Sequence, residues 1–172
     1  MKNYIFKILI IGNASVGKTS LLRRYVNGMF DESTIMTIGV DFFTKEIGCN
    51  NAKCLLQLWD LGGQERFRYL LDNFVMGARG ALLLFDLTGM PLIEDILEWV
   101  NIVRLHDLKL PILLIGTKLD LKDLIAVDDE EALNIKNTFN MIDYIKTSAK
   151  TGYNVEEAFE ILARQLIKKS KY

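Results

Sequence analysis

Lys7 to Ser20, KILIIGNASVGKTS, is the stretch whose reading decides the fold. Its apolar run enters Gly12, and Gly12, Gly17, Lys18 and Thr19 then fit G-x-x-x-x-G-K-[ST], a phosphate-binding loop between a strand and a helix. The spacing has a physical reason. Gly12 lets the chain turn off the strand, and Gly17 lets the backbone approach an anion with no Cβ in the way, so that the N–H groups of Ala14, Ser15, Val16 and their neighbours converge on it. The helix that follows, through Ser20, adds its positive N-terminal end. Lys18 brings a full charge to the terminal phosphates, and the Thr19 hydroxyl is suited to one place on an octahedral Mg²⁺.

Working outward, 172 residues with 50% hydrophobic content predict one domain, residues 1–172, with a substantial core. A formal net charge of −1 argues against a protein that binds nucleic acid by neutralising a polyanion. Cys49 and Cys54 are too few for a disulfide framework or a zinc site and read as small side chains in a hairpin of a cytoplasmic protein. No apolar run is long enough to span a membrane, and the start at Met1-Lys2-Asn3 is unlike a signal peptide.

Strand and helix patterns alternate along the chain, which predicts a three-layer α/β/α domain with a six-stranded, mostly parallel sheet and about five helices. Strands are expected over Tyr4–Ile11, Val40–Ile47, Lys53–Trp59, Ala81–Leu87, Pro111–Ile115 and Met141–Lys146. Helices are expected over Gly17–Asn27, Arg66–Met76, Pro91–His106, Asp128–Phe139 and Asn154–Lys169, with a long loop from Met29 to Ile38. Only four residues, Gly48 to Asn51, join the second and third strands, so these two form an antiparallel hairpin at one edge.

Three further loops follow strands and so share the sheet edge of the phosphate loop. Asp60-Leu61-Gly62-Gly63-Gln64 places a carboxylate for Mg²⁺, a Gly63 N–H for a third phosphate and Gln64 to orient water. The others are Gly116-Thr117-Lys118-Leu119-Asp120 and Thr147-Ser148-Ala149-Lys150. Together with Phe30 and Thr37, these loops resemble the small GTPases of the Ras superfamily over the whole chain.

The resemblance implies a GTP-binding molecular switch that hydrolyses GTP slowly to GDP and phosphate. It implies that Asp120 accepts from guanine N1–H and the exocyclic amine, that the stem of Lys118 lies along the base, and that the Ala149 N–H meets the guanine carbonyl, with Ser148 and Lys150 supporting it. Phe30 is similar to the aromatic residue that packs edge-on against guanine, and Thr37 to the threonine that closes onto Mg²⁺ and the third phosphate. Thr19, Thr37 and Asp60 are then the metal set, Gln64 the catalytic residue, and GTPase-activating proteins, exchange proteins and effectors the partners, reading the loops around Thr37 and Gln64 on a monomer.

Thr37 to Phe43, TIGVDFF, and the Gln64-Glu65-Arg66-Phe67 run resemble the Rab branch. Asp60-Leu61-Gly62-Gly63-Gln64 is similar to the Arf branch, many relatives having Thr-Ala in place of Leu61-Gly62; Thr117 stands where Asn is usual, as in the Rho branch. The motifs place no arginine at the phosphates in cis, which implies reliance on a partner's arginine. The tail Lys168-Lys169-Ser170-Lys171-Tyr172 has no prenylation cysteine and position 2 no glycine for myristoylation, so either the anchor lies beyond this sequence or the protein lacks one, and membrane contact is not evident. His106 falls outside every motif and reads as a solvated residue at a helix end. Two other readings stand beside the switch. A nonhydrolysing GTP-bound scaffold follows if Leu61-Gly62 misplace Gln64, and a metabolic phosphate-loop kinase leaves Asp120 and Ala149 unexplained.

Overall fold

Successive residues of β1 (Lys2–Ile11) face opposite layers: Ile8 and Ile10 enter one hydrophobic cluster, Leu9 and Ile11 the other. A strand buried on both faces needs the continuous apolar run seen in the sequence. The computed structural model describes residues 2–33, 37 and 39–171. Met1, Thr34, Ile35, Met36, Ile38 and Tyr172 lie outside the described residues, and with them part of the loop expected over Met29 to Ile38.

The six strands run in the order β2-β3-β1-β4-β5-β6. β2 (Val40–Cys49) is antiparallel to β3 (Ala52–Leu61), and every other pairing is parallel, through β4 (Gly80–Asp86), β5 (Ile112–Thr117) and β6 (Asp143–Lys146). The hairpin is tighter than its sequence suggests. Asn50 and Asn51 alone make the turn, at φ 49° and 59°, the positive φ that a type I′ connection requires at both positions.

α1 (Lys18–Asn27) and α5 (Val155–Lys169) cover one face, where the rings of Tyr25 and Phe159 stack with centroids 3.7 Å apart. α2 (Asp72–Val75), α3 (Ile93–Val103) and α4 (Asp129–Thr138) cover the other through Val75, Trp99, Val103 and Ile135. α4 opens with a capping box in which Asp128 accepts from the Glu131 N–H and Glu131 accepts from the Asp128 N–H.

Two helices differ from expectation. In place of one helix over Arg66–Met76, a 3₁₀ helix over Glu65–Leu70 precedes the single turn of α2. Among the described side chains Arg68, Leu71 and Val75 are buried here, and Arg68 reaches inward to the phosphate loop, so the backbone follows that contact and tightens to a Leu71 N–H to Arg68 carbonyl bond. α3 is shorter than Pro91–His106. Leu92 is still extended at ψ 132°, and beyond Val103 the Arg104 guanidinium turns away to cap the carbonyls of Leu110, Phe139 and Asn140. His106 is exposed past the helix end. Cys49 and Cys54 are free and buried in the hairpin. Among the described residues, no helix is long and apolar enough to cross a membrane.

Candidate functional site

The loops after β1, β3, β5 and β6 meet at the carboxyl ends of the parallel strands, with β1 central, the place where open α/β sheets bind ligands. At Gly12, φ is 140° and an added Cβ would come 2.4 Å from the Leu84 carbonyl oxygen, so no side chain fits where the phosphate loop leaves β1. Gly17 caps α1 at φ 99°. Lys18 is buried, its Nζ donating to the carbonyls of Gly12 and Asn13 at 2.8 Å each. Burial pushes its ammonium down to about 8, the Asp60 charge opposing this and the Arg68 charge adding to it. Such a cation, held at the first turn of α1, favours an anion beside it.

β3 runs beyond its expected end at Trp59 to Leu61, so Asp60 lies within the strand, and it is fully buried. Its Oδ2 accepts from Thr19 Oγ1 at 2.6 Å and Thr37 Oγ1 at 3.1 Å, and the two hydroxyls are 2.6 Å apart. Oδ1 is buried with no hydrogen-bond partner among the described residues. Burial raises the Asp60 pKa, opposed by the two threonine hydroxyls and Lys18. A buried carboxylate oxygen without a donor costs free energy, and one carboxylate with two hydroxyls is an oxygen set that fits Mg²⁺. No cluster of three or more His, Cys, Asp or Glu that could hold a metal occurs among the described residues.

The loop after β3 is pressed between its neighbours. The Gly62 N–H donates to the Gly39 carbonyl at 2.7 Å. A Cβ on Gly63 would lie 2.5 Å from the Gly12 oxygen and the Ala14 nitrogen, so Gly63 rests backbone against backbone on the phosphate loop. Gln64 is half-buried, its Oε1 accepting from Arg66 Nε at 2.9 Å. Leu61 is fully buried in the cluster under α3.

On the other side of Gly17 opens a cavity of about 380 Å³ lined by Ser20, Phe30, Lys118, Asp120, Ala149 and Lys150, among others. Asp120 Oδ1 accepts from Ser148 Oγ at 2.7 Å, which sets the carboxylate at the cavity wall. Lys118 stretches along the cavity because its Nζ pairs with Asp86 at 2.7 Å and donates to the Ser15 carbonyl at 3.1 Å. Thr117 also lines the cavity, but its hydroxyl donates to the carbonyls of Val16 and Phe85, so it braces the phosphate loop. Lys150 and Glu32 pair at 3.1 Å across the rim.

Residues that sequence reasoning passed over also converge here. Asp86 ends β4 as Asp60 comes near the end of β3, and an acidic residue closing an apolar strand was the available signal. Asn13 carried none: it binds Asp95, Trp99 and Arg68 through one amide. Phe42, Trp59 and Phe74 form an aromatic row between the segments that carry Thr37 and Gln64, with centroid separations of 5.1 and 6.0 Å.

The Ras family model matches residues 7–168. The chain belongs to the Ras family. Among its relatives, GTP-binding protein ypt3 of Schizosaccharomyces pombe is 38% identical, the match covering 96% of this chain and 78% of the relative. Ras-related protein Rab-1 of Theileria parva is 40% identical, with 95% and 75% covered, and Ras-related protein Rab-8B of Pongo abelii 37%, with 97% and 81% covered. This Ras-family member is therefore a small GTPase of the Rab-like branch, a GTP-binding enzyme whose α/β domain is the one described above.

Proposed function

We propose that this GTPase is a switch whose third phosphate sets the position of Thr37 on one side and of Gly63 and Gln64 on the other. The observation that carries the reading is the Thr19, Thr37 and Asp60 contact, since it brings a phosphate-loop hydroxyl and a hydroxyl of the loop before β2 onto Oδ2 of a buried carboxylate near the end of β3, whose other oxygen, Oδ1, has no partner among the described residues. A Mg²⁺ held by Thr19, Thr37 and Asp60 would supply positive charge against the phosphates. Lys18 and the N–H groups of residues 14 to 20 hold the phosphates. Asp120 accepts the two guanine N–H donors, Ala149 donates to its carbonyl, and the Lys118 stem and Phe30 cover its faces and edge. Gln64 orients the attacking water, which requires it to leave Arg66. Regulators supply a missing arginine, and effectors that read the nucleotide land on the exposed side of the Phe42, Trp59 and Phe74 row, because this row joins the two loops that the third phosphate orders. A signalling or trafficking role is what the resemblance to the Rab branch implies for this switch.

Single-turnover hydrolysis of preloaded GTP tests this. Gln64→Leu keeps the nucleotide and loses most hydrolysis, since leucine cannot orient water; a rate within about twofold of the parent, ~0.4 kcal/mol in barrier, contradicts the role.

A further inference from the structure

Asn13 stands second in the phosphate loop, yet its side chain makes no contact that the loop itself needs. Its Nδ2 donates to Asp95 Oδ2 at 2.6 Å, while Oδ1 accepts from Arg68 Nη2 at 2.8 Å and Trp99 Nε1 at 2.9 Å. Two donors face the oxygen and one acceptor faces the nitrogen, so the amide has a single orientation compatible with its neighbours. Arg68 is 8% exposed, stacks on the Trp99 ring at 4.9 Å and pairs with Glu98. A buried guanidinium is costly, and an apolar residue would pack against α3 as firmly, so packing alone does not call for this arrangement.

What the contact does is fasten a particular segment. Gly63 rests on the backbone of Gly12 to Ala14, and further along the same segment Arg68 is held by the side chain of Asn13 in that loop. Gln64 lies between these two anchors. We propose that Asn13, Arg68 and Asp95 form a positioning network that fixes the Gln64 segment on the phosphate loop for hydrolysis. The inference rests on the assignment of Gln64 as the residue that orients water. None of the three side chains touches the reacting atoms; each acts through the backbone that carries Gln64.

The test is a reciprocal swap read by single-turnover hydrolysis of preloaded GTP, in the Gln64 and the Gln64→Leu backgrounds, with GDP binding as the check on folding. Asn13→Asp sets two carboxylates against each other where a 2.6 Å hydrogen bond stood, and slows hydrolysis at least about fivefold. Adding Asp95→Asn reverses the polarity of that bond: the new amide at position 95 donates to the new carboxylate at position 13, which still accepts from Arg68 and Trp99. The double variant restores the rate to within about twofold of the parent. In the Gln64→Leu background, Asn13→Asp changes the residual rate less than about twofold. A merely structural role would not show that dependence on Gln64. The network is overturned if Asn13→Asp leaves the rate unchanged, if the swap fails to restore it, or if the loss is the same in both backgrounds. A parent-like rate for Gln64→Leu alone overturns the Gln64 assignment and the network with it, whereas a slow Gln64→Leu beside a fast Asn13→Asp overturns the network only.

Discussion

The Gly62 N–H donates to the Gly39 carbonyl at 2.7 Å, and a Cβ placed on Gly62 would stand 2.8 Å from that same oxygen and 3.0 Å from the Thr37 oxygen. The glycine thus lets the loop before β2 seat on the loop after β3, which is also what brings Thr37 to Thr19 and Asp60.

Gly62→Ala pushes Gly39 outward and loosens Thr37, a loss of about one hydrogen bond, or ~1 kcal/mol. Affinity for a nonhydrolysable GTP analogue falls about fivefold relative to GDP, measured by competition. An unchanged ratio would show that the two loops are not coupled through this contact.

Leu61 is fully buried beside Leu9, Ile11, Leu71 and Val75. Leu61→Thr places a hydroxyl in that cluster and removes apolar volume, which costs about 1 to 3 kcal/mol for the polar group alone. Denaturant unfolding of the GDP-bound protein shows the midpoint falling; an unshifted midpoint would mean that the hydroxyl finds a partner there.

Thr19→Asn removes the hydroxyl that donates to Asp60 at 2.6 Å and faces Thr37. It weakens GTP more than GDP, because a Mg²⁺ held by Thr19, Thr37 and Asp60 would supply positive charge against the phosphates, of which GTP carries one more, and the difference shrinks when Mg²⁺ is chelated. Equal losses for both nucleotides, with and without Mg²⁺, would remove Thr19 from the metal set.

The sheet was legible in the sequence because strands buried on both faces must be apolar throughout, as Ala81 to Phe85 and Ile112 to Ile115 are, and no helix can copy that pattern so briefly between turns. The phosphate loop was legible because its glycines are backbone requirements: Gly12 has φ 140° and no room for a Cβ. The segment after Gln64 was not, because Arg68 looks like a solvated helix residue until Asn13, Glu98 and Trp99 are brought to it by the fold. The direction of Thr117 was hidden for a similar reason. Its neighbour Val16 is far away in sequence, and only the tertiary structure shows the hydroxyl turned to that carbonyl.

Guanine recognition is the most specific element of the proposed function, and it rests on Asp120, whose Oδ1 is set by Ser148 at 2.7 Å on the wall of the cavity. A carboxylate offers only acceptors and suits the two N–H donors of guanine, a charge-assisted contact worth roughly 1.5 to 3 kcal/mol. Asp120→Asn sets an N–H₂ group against the guanine amine and matches the carbonyl that xanthine carries there. The decisive measurement is competition among GTP, xanthosine triphosphate and ATP for the parent and for Asp120→Asn. The parent is expected to prefer GTP, and the variant to lose at least about tenfold in GTP affinity, ~1.4 kcal/mol, while gaining affinity for the xanthine nucleotide, with ATP weak on both. An Asp120→Asn protein that still prefers GTP to xanthosine triphosphate would contradict the assignment of Asp120 as the residue that reads the base.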